Sequence, residues 1–141
     1  MRKLLIMTGF LLLAAVVMSQ EGLKVGDKAP HFSVKSDDGS IWTLADQIGK
    51  KEIVLYFYPA AMTGGCTRQA CSYRDHLGEL DAAGALVAGI SGDDVAALQV
   101  FKKVQQLNFT LLSDFDGAVA GKYGVPAGAG GSLTRNLDNQ D

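Results

Sequence analysis

Cysteine and histidine are scarce in this chain of 141 residues, which has two of each. The histidines, His31 and His76, lie far apart in the sequence, and a metal site usually needs four closely arranged ligands. We therefore expect no bound metal. The cysteines, Cys66 and Cys71, are five positions apart in PAAMTGGCTRQAC, so the C-x-x-C spacing of a thioredoxin-type dithiol is also absent.

The longest hydrophobic run is at the N-terminus, in MRKLLIMTGFLLLAAVVMSQ. A basic start precedes an apolar stretch, and Val17 and Ser19 are small enough for cleavage before Gln20. We interpret residues 1–19 as a signal peptide and expect an exported protein, periplasmic or secreted, with residues 20–141 as one domain. A retained membrane anchor is the alternative, but the run is short for a bilayer span, which takes about 17–25 residues.

Positive charge is also limited once that segment is removed. The chain from Gln20 onward has 11 basic and 15 acidic side chains, a formal charge of −4. No basic stripe remains to bind a phosphate backbone, so we expect no nucleic-acid partner. We also expect no stable membrane association after cleavage.

The remaining sequence alternates strand and helix patterns, which predicts an α/β sandwich with parallel central strands. An N-terminal hairpin is expected around the Asp-Gly turn of SDDGS, followed by KEIVLYFYP as a buried central strand. A helix is predicted from Thr63 to about Leu80, a strand at Ala85–Ser91 and a further helix with Asp93 as its cap. FTLLSD and GAVAGKYG are expected to form the last strand and helix. The Gly-rich end offers no closing strand, so we expect C-terminal elements to be missing.

Cys66 falls in the predicted first turn of the helix that follows KEIVLYFYP. Unpaired backbone N–H groups and the positive end of the helix dipole favour the thiolate form there, and the thiolate is the nucleophile. Arg68 or Arg74 would add positive charge, and the Thr63 hydroxyl would face whatever the sulfur attacks. Gly64 and Gly65 would let the backbone approach closely.

Cys71 would follow Cys66 in the same helix, about 140° around the axis and about 7.5 Å along it. A disulfide needs Cα atoms about 4.4–6.8 Å apart, so the pair would bond only if roughly one helical turn unwound. This spacing favours a pair that bonds after Cys66 is oxidised to a sulfenic acid, rather than a permanent disulfide. A small core residue is the alternative interpretation of Cys71.

The segment YFYPAAMTGGCTRQACSYRD resembles the active site of the peroxiredoxins, whose signature is Pro-x-x-x-Thr-x-x-Cys. Pro59, Thr63 and Cys66 fit that spacing, and Cys71 is placed as in the bacterioferritin comigratory protein, or PrxQ, subgroup. The likeness extends over nearly all of residues 23–126, including the hairpin and LSDFDGAVAGKYGV.

The resemblance implies a thioredoxin-like three-layer sandwich that reduces hydrogen peroxide and organic hydroperoxides. Cys66 would be the peroxidatic cysteine and Cys71 the resolving one. Thr63 would hydrogen-bond the peroxide, and Pro59 would shield the pocket. Thioredoxin or a similar dithiol would reduce the disulfide, no cofactor would be needed, and an intramolecular resolving cysteine makes a monomer sufficient. An exported redox sensor or disulfide reductase on the same scaffold is the alternative function.

Two departures from the family pattern accompany this likeness. The family places an arginine from a later strand beside the peroxidatic sulfur, and Arg135 lies in the wrong sequence context for that role. Gln69 stands where close relatives commonly have Glu. We therefore expect the native chain to continue past Asp141.

Overall fold

The structure is a computed structural model that describes residues 22–126. The expected signal peptide, Arg135 and the Gly-rich C-terminal segment lie outside the described residues, so the expectations attached to them stay predictions. Within 22–126, no helix combines the length and the apolar character required to cross a bilayer.

The described chain forms one five-stranded sheet and four α-helices. In chain order these are β1 (Ser33–Ser36), β2 (Ile41–Thr43), β3 (Glu52–Phe57), α1 (Gly64–Asp75), α2 (Leu77–Ala82), β4 (Ala85–Ser91), α3 (Val95–Gln105), β5 (Thr110–Ser113) and α4 (Ala118–Lys122). The strands lie in the order β2-β1-β5-β4-β3. β1 and β2 form an antiparallel hairpin, β1 also pairs antiparallel with β5, and β3, β4 and β5 are parallel. The predicted α/β architecture with an N-terminal hairpin is confirmed.

Both faces of the sheet carry a hydrophobic core, because successive strand residues point to opposite faces. In β4, Val87 belongs to one core, whereas Ala88 and Ile90 belong to the other. The first core also contains Leu98 and Phe101 of α3, and residues from α1 and α2 pack on it. The second contains Val119 of α4. The molecule is therefore a sandwich of three layers, with the sheet in the middle.

The prediction that KEIVLYFYP forms a buried central strand is wrong for the described chain. β3 pairs only with β4 and lies at an edge of the sheet formed by residues 22–126. Of its six residues only Tyr56 is buried. A continuous apolar run indicates that both faces of a strand are covered, but it carries no information about how many neighbours the strand has.

The single helix predicted from Thr63 to Leu80 is two helices. The backbone leaves helical geometry at His76, where φ is −105° and ψ is 11°. Its N–H and its Nδ1 both lie within hydrogen-bond distance of the Ser72 carbonyl oxygen, at 3.2 and 2.8 Å. The nearby Gly78 lies inside α2 rather than at the break, so the sequence pattern does not locate it.

The cap of α3 was predicted one residue too early. Asp94 is the N-cap, and its side chain accepts a hydrogen bond from the Ala97 N–H at 2.7 Å. Asp93 is completely buried and turns its side chain elsewhere. Adjacent aspartates satisfy the same local capping pattern, so only tertiary contacts distinguish them.

A second buried aspartate lies at the same edge of the sheet, at the end of β5. Asp114, at 3% exposure, follows β5 and accepts hydrogen bonds from the Val119 and Ala120 N–H groups at 2.9 and 2.8 Å. These are unpaired donors at the start of α4, so the carboxyl group holds that helix against the sheet.

Gly89 gives a test of the packing between β4 and the first core. A Cβ atom placed there would lie 2.7 Å from the Tyr56 hydroxyl oxygen and from the ring carbon that bears it. We expect Gly89→Ala to lower the free energy of unfolding by about 1–3 kcal/mol, as overpacking typically does. Gly78→Ala is the control, because a Cβ at Gly78 in α2 meets no atom of the described residues within 4 Å. Alanine favours helix there, so we expect a gain of up to about 1 kcal/mol. Urea denaturation of the reduced proteins measures both; equal stability of Gly89→Ala and the parent would contradict the packing.

Candidate active site

The loop from Pro59 to Thr63 connects β3 to α1. At its start, the Tyr58 N–H donates to the Ile90 carbonyl at 3.0 Å and extends the pairing of β3 with β4. Pro59 is exposed, whereas Ala60 and Ala61 are 5% and 1% exposed. The loop is therefore fixed to the body of the protein through its two alanines.

Met62 has a left-handed backbone conformation, with φ at 61°. For a residue other than glycine, this costs about 1–3 kcal/mol and persists only where the surroundings hold it. Its side chain is 41% exposed, so burial of the methionine itself contributes little to that restraint. The restraint must come from the residues on either side.

Asp93 restrains Ala61, the residue before Met62. One oxygen of its carboxyl group, Oδ2, accepts a hydrogen bond from the Ala61 N–H at 2.7 Å and another from the Ser91 Oγ at 2.9 Å. A buried hydrogen bond contributes about 0.5–1.5 kcal/mol, which is of the same order as the strain at Met62. The loop is thus held from the β4–α3 junction, 32 residues away in sequence.

Thr63 is the N-cap residue of α1, but its side chain does not cap the helix. Its hydroxyl donates instead to the Ala60 carbonyl at 3.0 Å, within the loop. To donate to a bound molecule, the hydroxyl would first have to give up this bond. Its oxygen lone pairs remain able to accept one.

Cys66 is the third residue of α1, as predicted, and is 8% exposed. It belongs to the first core, with Tyr56, Tyr58, Ala61 and Ala70. The first helical turn closes through a bond from the Thr67 N–H to the Thr63 carbonyl at 2.8 Å, so the preceding N–H groups have no partner within the helix. The sulfur thus combines a sheltered position with the positive end of the helix dipole.

Gly64 and Gly65 occupy the first turn of α1, although packing within the described chain does not require glycine there. A Cβ at Gly65 would meet no described atom within 4 Å, and one at Gly64 only the Arg68 Nη1 at 3.7 Å. Neither glycine has a positive φ. No side chain caps this turn within the described residues, and glycine has a low helix propensity. The first turn of α1 is therefore weakly stabilised.

Cys71 lies five residues further along the same helix and is half-buried. Both thiols are free, and Cys71 Sγ lies 3.7 Å from the Gln105 Oε1, to which it donates. Because α1 runs without interruption from Gly64 to Asp75, the expectation that one regular helix holds both cysteines is confirmed. In such a helix their Cα atoms are too far apart for a disulfide.

Gln105, at the end of α3, connects this helix to the loop. Besides the contact of its side chain with Cys71, its Nε2 lies 4.0 Å from the Met62 Sδ. Its backbone carbonyl oxygen accepts a hydrogen bond from the Arg74 Nη1 at 2.6 Å. Gln105 carries no local sequence signal, since a polar residue in the last turn of an amphipathic helix is common.

The two arginines of α1 are used differently. Arg74 is committed to the Gln105 carbonyl and, through Nε, to the Asp75 carboxylate at 2.8 Å. Arg68 is exposed, and its guanidinium lies over the first helical turn, close to Gly64. Of the two, Arg68 is therefore the one placed to add positive charge at the start of α1.

Two tyrosines lie beneath the helix with buried hydroxyl groups. Tyr56 and Tyr58 stack with ring centroids 5.5 Å apart, and neither hydroxyl has a hydrogen-bond partner within the described residues. Burial raises the pKa of both phenols well above the ordinary value, and the nearby Tyr73 and thiols add to the effect at Tyr56. Both hydroxyls therefore stay protonated and able to donate.

The four residues proposed from the sequence, Pro59, Thr63, Cys66 and Cys71, lie in the loop after β3 or in α1, but their environments differ. Thr63 and Cys66 lie at the start of α1, Pro59 is at the exposed end of the loop, and Cys71 faces α3. Among residues 22–126 no cluster of His, Cys, Asp or Glu could hold a metal ion. The chemistry available here is that of a sheltered thiol at a helix N-terminus, with a second thiol in the same helix.

The chain is also similar in sequence to known proteins. Residues 25–136 match the model of the AhpC/TSA family. A putative peroxiredoxin from Coxiella burnetii is 50% identical over 103 residues, which cover 73% of this chain and 68% of the relative.

Solved structures with the thioredoxin-like fold also match. Peroxidoxin BcpB from Mycobacterium tuberculosis superposes with a TM-score of 0.70 at 39% identity, over 73% of this chain and 67% of the other. The bacterioferritin comigratory protein of Xanthomonas campestris matches with a TM-score of 0.61 at 34% identity, over 63% of this chain and 56% of the other. That structure was solved to study the alkyl peroxide reduction activity of the Xanthomonas campestris protein. The chain thus spans between about half and two thirds of these proteins. It belongs to the AhpC/TSA family, and its similarity within that family is to the peroxiredoxins of the bacterioferritin comigratory type.

Proposed function

We propose that the protein is a thiol peroxidase in which Cys66 is the peroxidatic cysteine. The observation that carries this proposal is the position of Cys66: almost fully buried, in the first turn of α1, directly after the Pro59–Thr63 loop. The Cys66 thiolate attacks one oxygen of the hydroperoxide and the O–O bond breaks. The sulfur becomes a sulfenic acid, and the other oxygen leaves, with a proton, as water or an alcohol. Sulfur carries out the redox change, so the step needs no cofactor.

Cys71 is proposed as the resolving cysteine. Its thiolate attacks the Cys66 sulfenic acid, a disulfide forms, and the sulfenic oxygen leaves as water. Because the two residues are about 7.5 Å apart along a regular helix, the first turns of α1 must unwind before the sulfurs meet. The contacts of Gln105 with Cys71 and Arg74 hold the reduced arrangement and are broken or rearranged at this step.

The cycle closes when an external dithiol, thioredoxin or a protein like it, reduces the Cys66–Cys71 disulfide by exchange. Unwinding of α1 supports this proposal, because it brings a sulfur that is 8% exposed at rest within reach of another protein. Hydrogen peroxide and organic hydroperoxides are the proposed substrates. For the organic class, the alkyl peroxide reduction activity of the Xanthomonas campestris relative gives support. The whole cycle takes place within one chain, so we propose a monomer.

The two cysteine variants should fail at different steps. We expect Cys66→Ser to consume no hydrogen peroxide, and Cys71→Ser to consume one equivalent and then stop, since its sulfenic acid has no resolving thiol. Peroxide consumption with a thioredoxin system, together with the mass of the Cys66 peptide, measures both. If the parent protein lost no free thiol within minutes of peroxide addition, the proposal would be wrong, and a redox sensor or disulfide reductase would take its place.

Oxidation should loosen one helix only. We expect faster amide exchange in α1, strongest over residues 64–71, once the disulfide has formed. α4 serves as the internal control, because it packs in the second core rather than in the first, which contains Cys66, and should keep its protection. Exchange followed by mass spectrometry of reduced and oxidised protein measures both helices. Identical protection of α1 in the two forms would contradict unwinding during resolution.

We also propose that the protein is exported, on the basis of residues 1–19. Their basic start, apolar run and small residues before Gln20 support a cleavable leader. Expressed in full, the protein should be recovered outside the cytosol with Gln20 as its first residue, as mass spectrometry would show. A form that starts at Gln20 should stay in the cytosol as the control. Recovery of uncleaved protein in the membrane fraction would favour the anchor instead.

A further inference from the structure

Asp93 is the most deeply buried ionisable residue in the described chain that the proposed cycle does not use. Its side chain is 0% exposed and its Oδ1 atom has no hydrogen-bond partner among residues 22–126. Its position is nevertheless firmly fixed. The Ser91 Oγ donates to Oδ2, the Asp93 N–H returns a bond to that hydroxyl at 3.3 Å, and the Asp93 carbonyl accepts from the Ser113 Oγ at 2.8 Å.

These anchors lie at the ends of β4 and β5, and the carboxyl group extends from them to the active-site loop. The 2.7 Å bond from the Ala61 N–H fixes the residue just before the left-handed Met62. Thr63 follows, with its hydroxyl bound back to Ala60. A change at Asp93 is therefore transmitted through the loop to the residue at which α1 begins.

We propose that Asp93 is a positioning residue, which fixes the Pro59–Thr63 loop and thereby sets how fast Cys66 reacts with peroxide. This inference rests on the proposed function. Among residues 22–126 the Asp93 carboxyl group is hydrogen-bonded to Ala61 and Ser91 and not to the Cys66 sulfur, so its influence passes through the loop. This role requires an oxygen atom at the Oδ2 position that accepts the Ala61 N–H. The side-chain oxygen of Asn can accept that hydrogen bond.

The test compares three variants with the parent protein. Asp93→Ala removes the acceptor and Asp93→Asn retains it. Asp114→Ala is the matched control, since Asp114 is also buried and also accepts backbone N–H bonds, but holds α4 rather than the loop. Three quantities are measured: the rate constant for Cys66 oxidation by hydrogen peroxide, the pH profile of Cys66 alkylation by iodoacetamide, and amide protection of residues 60–63.

A positioning role should affect the peroxide reaction alone. We expect Asp93→Ala to slow oxidation by about tenfold or more, since small misplacements of reacting groups have effects of this size. Alkylation should change by less than about threefold with the same pH midpoint, because it requires the thiolate but not the peroxide pocket. Asp93→Asn and Asp114→Ala should stay within about threefold of the parent in both reactions, and only Asp93→Ala should lose amide protection at 60–63.

Several results would overturn the inference. These are a parental oxidation rate in Asp93→Ala, an equal loss in Asp114→Ala, or a parallel fall in alkylation. If Asp93→Ala does not fold, Ser91→Ala is used in its place, because it removes the hydroxyl that orients the Asp93 carboxyl group. We expect Cys66 in Ser91→Ala to be oxidised about threefold more slowly than in the parent. A parental rate in Ser91→Ala would refute the positioning role of Asp93. If the parent itself does not react with peroxide, the proposed function fails. Asp93 is then judged by amide protection, and unchanged protection in Asp93→Ala overturns its positioning of the loop.

Discussion

A parallel sheet has to be covered on both faces, and this requirement organises the chain from β3 to α4. In β4, which has a neighbour on each side, successive residues enter opposite cores, so neither face can be left to solvent. The helices between parallel strands supply the first layer of cover, and α4 contributes to the second. α1 must therefore start close to the end of β3. Only six residues lie between them, and this short connection brings Cys66 into the first core.

Much of this was accessible from the sequence. The hairpin, the strand Ala85–Ser91 and the place of Cys66 in the first turn of a helix were predicted correctly, because each depends on local pattern or on turn chemistry. The likeness to the Pro-x-x-x-Thr-x-x-Cys signature located the site at once. These features depend on short stretches of chain, which a single sequence describes well.

Apart from the missed break between α1 and α2, where His76 bonds to the nearby Ser72, the errors have the opposite character. The cap of α3 was assigned to Asp93 rather than Asp94, and the difference lies in a bond to Ala61, far away in sequence. The edge position of β3 depends on which strands pair with it, and Gln105 is notable only because α1 happens to pack beside it. In each case the deciding contact joins segments about 30 or more residues apart, where a local pattern has no predictive value.

The two glycines at the start of α1 have a consequence for the working temperature of the protein. Packing and backbone geometry in the described chain would accept alanine at either position, and alanine would stabilise the helix by about 1 kcal/mol. Each such change would make the unwound form roughly fivefold rarer. Under the proposed cycle, that form is the one in which the two sulfurs meet. Thermal adaptation of this protein would therefore have to strengthen the sheet and the other helices and leave the first turn of α1 weak.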